Sequence, residues 1–206
     1  MRHERLDPTD DTSATEVSDV LARAFQNDEF FVRAYGNPSN RTRALRVLFR
    51  GLVRLHLPLN ACFAAYDGDQ IVGASFWAPC SFHAGFLDSI RAGMGGLFRY
   101  PISLLRLMRC DDLYIGEMQR RATPEAHYLN SIGVLPEHQG RGIGSAMLRH
   151  QLEALVDPTG LDAWLWTNND LNERLYGRFG FEVVHRESIP PPRPFTARLM
   201  HRALAR

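Results

Sequence analysis

The stretch 128–155, YLNSIGVLPEHQGRGIGSAMLRHQLEAL, decides the reading of this chain. It runs from an apolar strand through a proline-bounded turn into a glycine-punctuated loop, and from there into a long amphipathic helix. In the loop, Gln139, Gly140, Arg141, Gly142, Ile143 and Gly144 place small residues where the backbone must bend sharply. The helix that follows opens with amides that have no intrahelical partner. Those amides, at the positive end of the helix dipole, favour a pyrophosphate. The pattern is neither of two familiar phosphate loops. A P-loop requires Gly-Lys before Ser or Thr, and the chain contains no lysine. A dinucleotide fingerprint is spaced GxGxxG in the first unit of a strand and helix array. Here the glycines run GxGxG, well past the middle of the chain.

A second block follows at 163–184, AWLWTNNDLNERLYGRFGFEVV. The strand YLNSIGVLP, the loop QGRGIG, the helix GSAMLRHQLEAL and this block together resemble the acetyl-CoA-binding core of the GNAT superfamily of N-acetyltransferases. In the second block Asn172, Tyr176 and the ending Phe179-Gly180-Phe181 match the family's next strand, helix and strand. Two blocks in order and at the right separation are far more specific than either alone. The resemblance covers about 128–184. The terminal pattern FEVVHRESIPPPRPFTARLMHR looks like the small-molecule members, puromycin acetyltransferase-like enzymes among them.

The resemblance implies an α/β (α+β) fold, a single GNAT-type domain over 1–206 with its cofactor-binding core at about 126–184. Its central sheet is mixed and mainly antiparallel, flanked by helices, and the two central strands splay apart. The pantetheine arm would lie in that notch, held by the main chains of Ile132, Gly133 and Val134. The pyrophosphate would sit on Gln139, Gly140, Arg141, Gly142, Gly144 and Ser145. For the Arg141 side chain, an ordinary solvated role stands beside phosphate contact. Asn172 would steady the pantetheine, and Tyr176, one helical turn later on the same face, would meet the sulfur. The implied reaction is transfer of acetyl from acetyl-CoA to a primary amine of a small molecule, by direct attack in a ternary complex and without a metal. A catalytically silent acetyl-CoA-binding module and an acetyltransferase of proteins or peptides are the alternatives.

That chemistry asks for a polarised carbonyl, an amine relieved of its proton and a stabilised thiolate. A phenol has a pKa of about 10 and a thiol about 8.5, so full proton donation runs uphill by roughly 2 kcal/mol. A hydrogen bond that strengthens as the thiolate forms describes Tyr176 better. The base is less legible, because puromycin-type members often carry glutamate where this chain has Trp166. Tyr128 and Asn130, expected to share a strand face with Ile132 by period two, are candidates, as are Asp28 and Glu29 near the end of the first helix. Trp166 is expected to narrow an acceptor pocket that Glu29, Phe30, Tyr128 and Asn130 also line. Phe31, Tyr35 and the aromatics of 82–98 are read as core or as further lining.

Composition agrees with a soluble enzyme. The 206 residues are 45% hydrophobic and carry a formal net charge of +1, enough for one core and no electrostatic case for nucleic acid or an acidic membrane. Cys62, Cys80 and Cys110 are too irregularly spaced for a disulfide framework or a zinc site. Burial is expected of the first two, and a cytoplasmic setting fits the absence of any signal-like or membrane-length apolar run.

Along the rest of the chain, Thr12 or Ser13 is expected to cap a helix ending near Phe31, and a second helix to span 39–57. Segments 61–66 and 71–78 read as a β-hairpin, and 82–121 as helical but interrupted by glycines and Pro101. Strands are expected at 128–134, 163–167, 182–185 and 195–200, helices at 142–156 and 170–179, and a turn at Pro190-Pro191-Pro192. A homodimer is an open possibility, with the apolar last strand supplying a sheet edge.

Overall fold

A computed structural model of the chain describes residues 1–189 and 193–204. The expected triple-proline turn, 190–192, lies outside the described residues. Among the described residues the sheet has seven strands in the order β1-β2-β3-β4-β5-β7-β6. These are β1 (Arg2–Arg5), β2 (Cys62–Asp67), β3 (Gln70–Pro79), β4 (His127–Val134), β5 (Ala163–Thr167), β6 (Glu182–Ile189) and β7 (Phe195–Arg202). Every neighbouring pair is antiparallel except β4 with β5. This is the mixed, mainly antiparallel sheet that the two sequence blocks imply.

The helices are α1 (Asp11–Ala24), α2 (Glu29–Ala34), α3 (Pro38–His56), α4 (Phe86–Arg91), α5 (Pro101–Gln119), α6 (Ile143–Gln151) and α7 (Asp170–Gly177). On one sheet face α1 and α3 pack Leu21, Leu45 and Phe49 onto Ala74 and Phe76. On the other, α6 and α7 bring Leu148 and Tyr176 against Leu129, Leu165 and Phe181. The end of α5 covers β4, β5 and β7 through Met118, which clusters with Tyr128, Trp164 and Leu199. All three cysteines are free and buried. Burial pushes the Cys62 and Cys80 thiols up to about 12, so neither is poised as a nucleophile. No helix among the described residues is long and apolar enough to cross a membrane.

Several boundaries differ from the sequence expectation for identifiable reasons. The cap of α1 is Asp10, whose carboxylate accepts from the amides of Thr12 at 3.0 Å and Ser13 at 3.1 Å. The helix ends at Ala24, not near Phe31, because Asp28 starts a new helix by accepting from the Phe30 amide at 3.0 Å. Pro101 opens α5 instead of interrupting a helix, since the first helical position needs no amide donor. The helix α6 continues as a π-helical turn, Leu152–Val156. Strand β1, sequence Arg-His-Glu-Arg, carries no apolar alternation and gave no signal. The last strand, expected at an edge, lies between β5 and β6 because β6 pairs outside it, so the sheet edges are β1 and β6.

Candidate active site

The central strands part where β4 is irregular. Their parallel pairing runs only from His127 opposite Ala163 to Leu129 opposite Leu165. On its other side, β4 shifts register against β3: Phe76 pairs with Ser131 and Trp77 with Leu129, which leaves Asn130 as the extra residue of a β-bulge. A bulge bends its strand and reverses which face later side chains occupy. Ile132 and Val134 accordingly pack with Ile143 and Met147 of α6, whereas Tyr128 joins Cys80 and Met118 under α5. The expectation that Tyr128, Asn130 and Ile132 share a face by period two therefore fails at Asn130.

A cavity of about 70 Å³ fills the gap between the strands. Asn130, Ile132, Trp166, Asn172 and Tyr176 line it, and so do Asp28 and Asn168. Tyr128 is not among the lining residues. Its phenol is buried within electrostatic reach of Asp111, and burial first, then that carboxylate, raises its pKa.

The loop between β4 and α6 has a backbone of the kind its glycines lead one to expect. The Leu135 amide donates to the Val72 carbonyl of β3 at 2.9 Å, so by strand alternation the amides of Ile132 and Val134 face the gap. The Val134 carbonyl accepts from the Gln139 side chain at 3.0 Å, which folds the loop back on the strand edge. Gly140 and Gly142 have φ of +75° and +78°, a region costly for any residue with a side chain. Gly142 caps α6 without a side-chain hydrogen bond, and the first helical bond runs from the Ala146 amide to the Gly142 carbonyl at 3.0 Å. The amides of Ile143, Gly144 and Ser145 are thus left pointing out of the helix. Glycine at the two bends, three open amides and a dipole end fit an anionic phosphate group. Arg141 is exposed and reaches Asp67 at 3.3 Å and His138 at 3.0 Å, tying the loop to the β2–β3 turn.

At the other end of the gap the carboxylate is Asp28. One of its oxygens, Oδ1, caps α2 and also accepts from Asn168 at 3.3 Å, and burial lifts its pKa above the usual carboxylate value. Its neighbour Glu29 is exposed and lines only the outer mouth, with Asn27, Asn169 and Arg174. Tyr176 is 6% exposed; burial and then the charge of Asp28 raise its pKa, so the phenol keeps its proton. Asn172 sits one turn before it on α7.

Trp166 belongs to an aromatic wall. Its ring stacks on Tyr114 at 4.4 Å and 12°, and its indole donates to the Tyr114 carbonyl at 3.0 Å. Phe30 lies against the far side of the group, 5.6 Å from Tyr114. Tyr114, 52 residues away from Trp166 in sequence, has no local pattern that announces it. Tyr35 is core, packed on Tyr100, and Phe86 and Phe98 lie on the outer surface, so they do not extend the pocket. Trp166→Ala is expected to widen the channel, raising kcat/KM for bulky amines relative to slender ones, at a stability loss of roughly 2–4 kcal/mol. An unchanged acceptor profile in a panel of amines contradicts this role for the wall.

Residues 105–183 match the family model of the acetyltransferase (GNAT) domain. Over these residues the chain carries the signature of a GNAT acetyltransferase domain. Solved structures agree on the fold. A Corynebacterium glutamicum protein described as histone acetyltransferase HPA2 and related acetyltransferase superposes with a TM-score of 0.64 at 22% identity, over 97% of this chain and 95% of that one. The Drosophila melanogaster polyamine N-acetyltransferase, which forms N-acetylagmatine, gives 0.63 at 16% identity, over 98% and 99%. Arylalkylamine N-acetyltransferase 2 of Aedes aegypti gives 0.62 at 14%, over 98% of each chain. In this GNAT domain the bulged β4, the open start of α6 and Tyr176 of α7 all fall within the matched residues, whereas Asp28 lies outside them.

Proposed function

We propose that this GNAT domain transfers an acetyl group from acetyl-CoA to the primary amine of a small molecule, by direct attack in a ternary complex. The observation that carries this reading is one notch lined by a splayed strand, a protonated buried phenol and a half-buried carboxylate, with the open amides of α6 following at the end of the same strand. The pyrophosphate is held by the amides of Ile143, Gly144 and Ser145. The pantetheine amides bond to the free edge of β4, as an added strand would.

Asp28 is the base. An amine arrives mostly as its ammonium, and the carboxylate both attracts it and accepts the proton that must leave before attack. Its lifted pKa brings it nearer to that of the amine, which eases the transfer. The freed nitrogen adds to the thioester carbonyl, the tetrahedral adduct collapses as the C–S bond breaks, and the extra proton on nitrogen passes to the departing sulfur, leaving the amide and a free thiol. Tyr176 donates a hydrogen bond to the departing thiolate. With Asp28 in place, tryptophan at position 166 no longer argues for a silent module. The narrow aromatic wall favours a small acceptor over a peptide, in keeping with the polyamine and arylalkylamine substrates named for the structural neighbours.

Release of free thiol from acetyl-CoA, measured over a panel of diamines, arylalkylamines and peptides, tests the reading. Amine-dependent turnover with small amines above peptides is the expected result. Tight acetyl-CoA binding with no turnover on any amine contradicts it.

A further inference from the structure

Apolar exposure in this chain is concentrated in one place. Among the described residues, eight of the eleven exposed large hydrophobic side chains lie between residues 86 and 113. They include Phe86 and Phe98, whose rings are 6.1 Å apart, and Ile102, Leu105 and Leu113 of α5. A contiguous apolar surface rimmed by charge marks a contact site. The inward face of α5 is already used: Leu107, Cys110 and Met118 are buried, and Tyr114 stacks on Trp166.

The outward face has an internal symmetry. Ile102, Leu105, Arg106, Arg109, Asp112, Leu113 and Gly116 form one helical stripe, and their spacing is palindromic about Arg109. We infer that this stripe is a two-fold contact with a second copy of the chain, α5 packing antiparallel on α5 with the axis at Arg109. In that register Leu105 faces Leu113 of the partner subunit, and Arg106 faces Asp112 of the partner subunit. Ile102 meets Gly116 of the partner subunit, where no side chain obstructs: a Cβ there would touch nothing nearer than the tip of Arg120 at 3.8 Å. The absence of a Cβ allows close approach at helix separations of about 8–10 Å.

Charge selects this occupant over others. Arg106, Arg109 and Asp112 are exposed, and among the described residues the ion pairs in and just beyond α4 and α5 join Arg91 to Asp88 and Glu117 to Arg120, Arg121 and His185 instead. Each Arg109 at the axis has Asp112 of either copy within one helical turn. An isologous contact turns these charges into complementary pairs. The segment 86–113 sets Asp88, Asp111 and Asp112 against Arg91, Arg99, Arg106 and Arg109, a near balance that gives an anionic bilayer little electrostatic hold.

Sedimentation velocity of the full chain across the micromolar range tests the inference, with thermal melts confirming that each variant folds. The wild type is expected to dimerise, and Leu105→Glu to be monomeric. Arg106→Asp and Asp112→Arg alone should each weaken the dimer at least tenfold, and the double variant R106D/D112R should recover most of that loss. A monomeric wild type overturns the inference, including one that floats with phosphatidylserine vesicles. So does a dimer that L105E leaves intact, or a charge swap that fails to recover. None of these outcomes depends on acetyl transfer.

Discussion

Asp28→Asn is expected to lower kcat/KM for the amine by roughly 10²–10⁴-fold, the usual range for losing a positioned general base, while making the protein more stable at neutral pH. The two effects have one origin. Burial lifts the Asp28 carboxyl above its ordinary value, so folding favours its protonated form. That contribution is complete below about pH 4 and is lost as pH rises through the lifted folded value. At neutral pH the ionised carboxylate therefore weakens the fold, and asparagine removes the burden. Because asparagine keeps an oxygen for the Phe30 amide, the cap of α2 survives. Wild-type kcat/KM should fall on an acid limb lying above the ordinary carboxylate range, and the variant should lack that limb. A variant that loses activity and also melts earlier would make Asp28 a structural cap and not the base.

Tyr176→Phe is the second large effect. A hydrogen bond to a developing thiolate is a bond to a charged group, which corresponds to a loss of about 10- to 100-fold in kcat. The KM for acetyl-CoA should change little, because the interaction strengthens only as the C–S bond breaks. Phenylalanine keeps the contact with Phe181, whose ring lies 6.1 Å away, so the melting temperature should hold. An acyl donor whose thiol is more acidic needs less help in leaving, and the deficit should shrink with it. An equal deficit for every donor would assign Tyr176 to packing alone.

The two sequence blocks were legible because their signals are local. Glycines at 140 and 142 are demanded by positive φ, and the run from Ala163 to Thr167 has strand-like composition between a glycine-bounded break and an asparagine cap, so its limits were read without error. The face of Tyr128 was misread because strict alternation takes no account of a bulge, and the bulge at Asn130 is visible only against β3. Asp28 was one of two adjacent carboxylates in sequence. What separates them is its role as the α2 cap, which turns it into the gap and leaves Glu29 outside. A break at Asn27-Asp28 before Phe30 and Phe31 was available as a capping signal. The stacking of Tyr114 on Trp166 depends on how α5 folds back over β5, which no window of sequence contains.

A crystal structure with coenzyme A bound tests the central claim most directly. The pyrophosphate is expected on the amides of Ile143, Gly144 and Ser145, the pantetheine along the free edge of β4, and the sulfur within hydrogen-bond distance of the Tyr176 hydroxyl, with Asp28 across the gap from it. Coenzyme A bound elsewhere, or a sulfur directed away from both Tyr176 and Asp28, would contradict the account.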